Sequence, residues 1–170
     1  MNSLRLRAKA APYLKAYFEH WHDFWENRIE DTSWFQSRKR IVYFDFTSAD
    51  YFNIVSDEEI RQSRVWLGAA VASASTEKQK ARAELILKQF EYYEASALSY
   101  PKKVDAPTNA EDALLLLEES VNYQSKLDYA KKRFEILDSF EDDPILRHGS
   151  KLSTSWSGLN PDAFGRLLIM

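Results

Sequence analysis

Residues 56–100 read SDEEIRQSRVWLGAAVASASTEKQKARAELILKQFEYYEASALSY, and this stretch decides the fold. It holds two helix openings. Ser56-Asp57-Glu58-Glu59 and Thr76-Glu77-Lys78-Gln79 each set a hydroxyl three residues before a Glu or Gln. In such a capping box the hydroxyl accepts from the third backbone N–H while the acid or amide reaches back to the cap. Ile60, Leu67, Val71 and Ala74 follow the first box at helical spacing, and Ala83, Ile86, Phe90, Tyr93 and Ala97 follow the second. Only Ser73–Thr76 separates the two segments, so they are expected as antiparallel neighbours.

Working outward, Thr108-Asn109-Ala110-Glu111 is a third box, followed by Leu117, Val121, Leu127, Ala130, Phe134 and Leu137. Pro101 and Pro107 bracket the turn before it. Upstream, Leu4 to Arg28 reads as helix, with Leu14, Phe18, Trp21 and Trp25 on one face and Pro12 either starting the main helix or kinking a longer one. Residues 29–55 read as irregular. Ile41-Val42-Tyr43-Phe44-Asp45-Phe46 would make one strand without a partner, so it reads as an apolar loop on the helices. Glu141-Asp142-Asp143-Pro144 stops the last long helix, and Asn160-Pro161-Asp162 opens a short C-terminal one carrying Phe164, Leu167 and Leu168. Only four glycines occur, three of them beyond residue 148, which leaves residues 1–140 few sites for hairpin turns.

The expected fold is all-α: a helical bundle of four main helices with an aromatic-rich irregular segment and a short C-terminal helix. The bundle would occupy 1–140. Residues 141–170 would be an extension packed on it or leading to a following domain. Ile60, Leu67, Val71, Ile86, Phe90, Tyr93, Leu117, Val121 and Phe134 are the expected core.

Composition fits an ordinary globular chain, 45% hydrophobic and 29% charged. The net charge of −3, with both signs interspersed, offers nothing to attract nucleic acid. No apolar run approaches the roughly 18 residues of a membrane span. Absence of Cys excludes disulfides, thiolate metal sites and a Cys nucleophile. Met1-Asn2-Ser3-Leu4-Arg5 is too charged for a signal peptide, and the apolar end Leu167-Leu168-Ile169-Met170 suggests that the natural polypeptide continues.

No catalytic residue, metal site or cofactor is assigned. His20 and His22 lie two apart, on different helix faces, and only His22 and Glu26 converge. They read as a solvated polar face opposite Trp21 and Trp25. Glu58-Glu59, Glu118-Glu119 and Asp142-Asp143 are adjacent pairs and cannot face each other across a sugar as glycosidase carboxylates do. A Gly-rich phosphate loop and a nucleophile elbow are both missing from the sequence. Arg38-Lys39-Arg40 and Lys131-Lys132-Arg133 are the basic clusters.

The distribution of rings is unusual. Of five Trp, nine Tyr and ten Phe, thirteen fall between Tyr13 and Phe52. Trp34, Phe35, Tyr43 and Tyr51 lie in the irregular stretch and are the candidate ligand-binding residues. Sugars stack on such rings through their C–H faces. The other readings are burial against the helices and docking on a neighbouring domain.

The run Tyr17-Phe18-Glu19-His20-Trp21, the loop around Tyr43-Phe44-Asp45 and the paired helices Phe52–Ala74 and Glu77–Tyr100 resemble a known family. It is the glycoside-hydrolase-like family catalogued as domain of unknown function four-eight-three-eight, found mainly in bacterial polysaccharide-degrading systems. The resemblance spans roughly residues 13–100. It implies a non-catalytic helical accessory domain supporting a preceding catalytic barrel of the same polypeptide, a carbohydrate ligand, and a periplasmic or extracellular location. No catalytic residue carries over. The alternative is a stand-alone helical scaffold or protein-interaction module docking through the aromatic N-terminal face.

Overall fold

The capping box at Ser56 forms as its sequence requires, in a computed structural model that describes residues 9–37, 50–100, 107–121 and 123–147. Every regular element among them is helical, and none is a strand. In chain order the α-helices are α1 (Ala11–Asp23), α2 (Ser33–Gln36), α3 (Asp57–Ala72), α4 (Glu77–Ser99), α5 (Ala110–Val121) and α6 (Tyr123–Glu141). The fold is all-α. Tyr43, the run Ile41–Phe46, Pro101 and the short C-terminal helix expected from Asn160 all lie outside the described residues. The side chains of Leu117 and Val121 do too.

The chain divides into two compact units, residues 1–43 with 54–91 and residues 44–53 with 92–170. In the first unit α1 starts with Pro12 in its first turn, where a missing N–H costs nothing. It widens at Phe24–Arg28 into a π-helical turn and tightens at Ile29–Asp31 into a 3₁₀ turn. Thr32, in extended conformation, then caps α2 by accepting from the Phe35 N–H at 3.3 Å. Phe24 is buried in the π turn, and part of the stretch expected as irregular is a run of short helical turns burying Ile29 and Trp34.

At α3 the Ser56 hydroxyl accepts from the Glu59 N–H at 3.2 Å, and Glu59 Oε2 accepts from the Ser56 N–H at 3.0 Å. Asp57, Glu58 and Glu59 put three carboxylates at the positive end of the helix dipole. Ile60, Ser63, Leu67 and Ala70 form the inward stripe of α3. α1 packs on this stripe, where the Trp21 indole N–H donates to the buried Ser63 hydroxyl at 3.0 Å. Residues 77–91 of α4 complete the unit. The Tyr17 ring meets Phe90 edge-on at 5.8 Å, and Arg64 pairs with Glu91 at 2.7 Å. At α4 the box closes one residue early: the Gln79 N–H donates to Thr76 Oγ1, but the Gln79 side chain accepts from Ser75.

In the second unit α4 presents buried Glu94, Ala95, Ser96, Ala97 and Ser99. The serine hydroxyls donate back to the helix, Ser96 to the Tyr92 carbonyl at 2.7 Å and Ser99 to the Ser96 carbonyl at 3.1 Å. Phe52 packs against Tyr93 and Tyr100 at 5.4 and 5.6 Å. On α6, Ala130, Arg133 and Phe140 are buried. The helix ends at Glu141, and Asp143 Oδ1 accepts from the N–H groups of Ile145 and Leu146.

Three expectations change. Phe134 is 38% exposed, while Arg133 beside it is 1% exposed, because the inward register of α6 runs 130, 133, 140. Arg133 therefore belongs to no surface cluster, although Lys131 and Lys132 are exposed. Phe18 is exposed too, since Tyr17 takes the inward position against Phe90. Val71, Ile86 and Tyr93 are half-buried, while Ile60, Leu67 and Phe90 are fully buried.

Phe90→Ala is expected to cost about 3–5 kcal/mol, and Phe134→Ala about 1 kcal/mol, in urea unfolding. Equal losses would mean the α6 register is misassigned. At Gly68 in α3 an added Cβ meets nothing within 4 Å. Gly68→Ala is therefore expected to stabilise by roughly 0.5–1 kcal/mol through helix propensity, raising the unfolding midpoint.

Candidate functional site

The four ring residues singled out by sequence do not gather. Trp34 lies on α2 in the first unit, 6% exposed, so it is no exposed stacking platform. The Thr32 cap turns it inward. Phe35 beside it is half-buried. Tyr51 belongs to the second unit and is half-buried there, stacked at 4.4 Å on Phe52. Tyr43 is not among the described residues.

Around Tyr51 stands a centre that sequence reading missed. The Arg133 guanidinium lies over the Tyr92 ring at 5.7 Å and the Phe134 ring at 5.3 Å, and donates to the Tyr92 hydroxyl at 3.5 Å. Stacking on ring faces suits a planar, weakly hydrated cation. Burial pushes the guanidinium below its usual value, opposed by Tyr92 and Tyr51. Burial pushes the Tyr51 phenol up to about 12; Tyr92 adds to this and Arg133 opposes it.

A second polar centre links α1 to α3. Glu59 Oε1 stands 2.9 Å from Arg28 Nη2 and 3.4 Å from His20 Nε2. Arg28 also pairs with Asp23 at 3.2 Å and lies over the Phe24 ring at 4.9 Å. His20 sits between Trp21 and Trp66, ring centroids 5.2 and 5.5 Å away. His20 is thus packed, not part of a solvated face, whereas His22 is exposed. The signal was available: His20 precedes Trp21 by one position, and Glu59 carries a second carboxylate oxygen that the cap leaves over. Burial raises the Glu59 carboxyl, but hydrogen bonds from Ser56 and Arg28 outweigh it and hold the group below its ordinary value. Among the described residues no group of three or more His, Asp or Glu is placed to hold a metal ion. No helix there is long and apolar enough to cross a membrane.

The third feature is an outward face. α5 reads AEDALLLLEESV. Leu114 is 62% and Leu115 58% exposed, while Ala113 and Leu116 are half-buried. Two neighbouring leucines standing in water differ from scattered single apolar residues, which any surface carries. Phe134 and Ile145 of the same unit are exposed as well. The sequence reading followed the Leu117 stripe and passed over these two, although four successive leucines cannot all face one way.

Comparison with protein-family models, curated proteins and solved structures yields no match.

Two pH dependences follow. A carboxyl held low in the folded state stabilises above its unfolded value and ceases to as pH falls through the folded one. Glu59→Gln is therefore expected to be less stable than wild type at pH 7, by about 1–2 kcal/mol from the lost charge-assisted bonds. The gap closes as pH falls below the ordinary carboxyl value of 4.5. A phenol held high stabilises below its unfolded value and ceases to as pH rises through the folded one. Wild type is thus expected to lose stability between pH 10 and about 12. Tyr51→Phe should lose less over that span, as read by alkaline unfolding at several pH values.

Proposed function

We propose that this chain is a helical protein-interaction module that engages its partner through the outward face of α5. The single observation carrying this reading is the exposure of Leu114 and Leu115 at 62% and 58%. Fully desolvating a leucine is worth about 1.5–3 kcal/mol relative to leaving it in water, so a partner covering both gains a useful share of its binding energy there. The reading gives the chain no chemistry of its own. The polar centres then serve packing within each unit, Glu59 holding α1 on α3 in the first and Arg133 holding α6 on α4 in the second.

In the form that the family resemblance implies, the partner is a preceding barrel domain of the same polypeptide in a polysaccharide-processing protein. In the other form it is a separate protein. Both use the same face. A photo-crosslinking residue placed at position 115, with one at exposed Lys131 as control, tests the reading in the cell of origin. The expected result is one discrete crosslinked species from position 115 and none from 131. Mass spectrometry then assigns it to a segment of the same polypeptide or to another chain. A folded, expressed chain that gives no crosslink at 115 would sink the proposal.

A further inference from the structure

Resting on that reading, we propose that the partner surface met by Leu114 and Leu115 is a basic amphipathic helix, its apolar residues flanked by Lys and Arg. The inference comes from what surrounds the leucines. The α5 sequence holds Glu111, Asp112, Glu118 and Glu119 and no basic residue. Glu111 precedes Leu114 and Leu115 by three and four positions, and Glu118 and Glu119 follow Leu115 by three and four. At helical spacing these acids bracket the leucines by one turn on either side. Glu111 is exposed. The exposed apolar pair therefore lies within a stretch of one sign of charge.

This pattern separates the possible occupants. A second copy docking by the same face would set this acidic stretch of sequence against itself, because a two-fold interface opposes a patch to itself. Like charges at a rim slow encounter and cost affinity. An anionic lipid surface is repelled for the same reason. A helix with leucines at i, i+3 and i+7 and basic flanks meets both demands, covering the apolar pair and complementing the charge around it. Attraction of this kind acts at the solvent-exposed rim, so it weakens as salt shortens the screening length.

The test titrates the full chain with a fluorescent Leu/Lys amphipathic helical peptide, and with a Leu/Glu peptide of the same leucine spacing. The Leu/Lys peptide is expected to bind at least about tenfold more tightly than the Leu/Glu peptide, a preference that shrinks as ionic strength rises. The double change Leu114→Gln with Leu115→Gln should weaken it by about tenfold or more, and Glu111→Lys by several-fold. Circular dichroism on each variant confirms the helix content, since all three positions are exposed. Equal binding of both peptides would overturn the charge inference and leave the interaction face standing. Leu/Lys binding indifferent to the leucine changes would overturn it as diffuse attraction. Binding of neither peptide would overturn it too, while the crosslink at 115 still decides the interaction reading. Leucine-dependent self-association, or leucine-dependent binding to phosphatidylglycerol vesicles, would overturn it in favour of a second copy or a bilayer.

Discussion

One carboxylate, that of Glu59, ties the first unit together. Its Oε2 closes the capping box on Ser56, which leaves Oε1 directed away from the cap. That second oxygen takes Arg28, from the π-helical turn, and faces His20, from α1. Exposed ion pairs contribute little on their own. Here the acceptor is mostly shielded and its geometry is already fixed by the cap, so less side-chain entropy is lost in forming the pair. The start of α3 and the end of α1 are thereby set by the same group. The widening of α1 at Phe24–Arg28 brings the Arg28 guanidinium over the Phe24 ring and within reach of both Asp23 and Glu59.

What was legible in the sequence was local. The boxes at Ser56 and Thr76 depend on residues three or four apart, so nothing distant had to be known. The helix end at Glu141 likewise follows from the acids and Pro144 beside it. The failures came where two large neighbours compete for one inward position. Tyr17-Phe18 and Arg133-Phe134 are such pairs, and apolar periodicity picks the Phe of each. Tyr17 goes in because Phe90 offers it an edge contact. Arg133 goes in because Tyr92 offers a ring face for its guanidinium, and Phe134 then caps the cation from outside. For Trp34 the sequence left stacking, burial and docking all open, because nothing in it shows that Thr32 caps a turn of helix there and that the indole is buried. The outward leucines were legible in principle, since four successive leucines span a whole helical turn and cannot all face one neighbour.

The two units solve the problem of internal polarity differently. In the first, charge is shared among Glu59, Arg28 and Asp23 at the edge of the packed helices. In the second, a single guanidinium is enclosed by rings, with the Tyr92 hydroxyl as acceptor and the Tyr51 phenol beside it held neutral. Lysine would not substitute there, because a compact, strongly hydrated ammonium neither stacks nor spreads its charge.

The hydrogen bond from Trp21 to Ser63 bears on how such a chain can change over time. Ser63 is fully buried between helices, so its hydroxyl is tolerable only while an indole N–H points at it. Removing the indole alone strands the buried Ser63 hydroxyl, at a cost of about 1–3 kcal/mol, whereas Trp21→Phe with Ser63→Ala removes both groups. The two positions, 42 residues apart, are thus energetically non-additive. Descendants of this sequence should keep the pair or lose it whole, and intermediates that lose half of it should be rare.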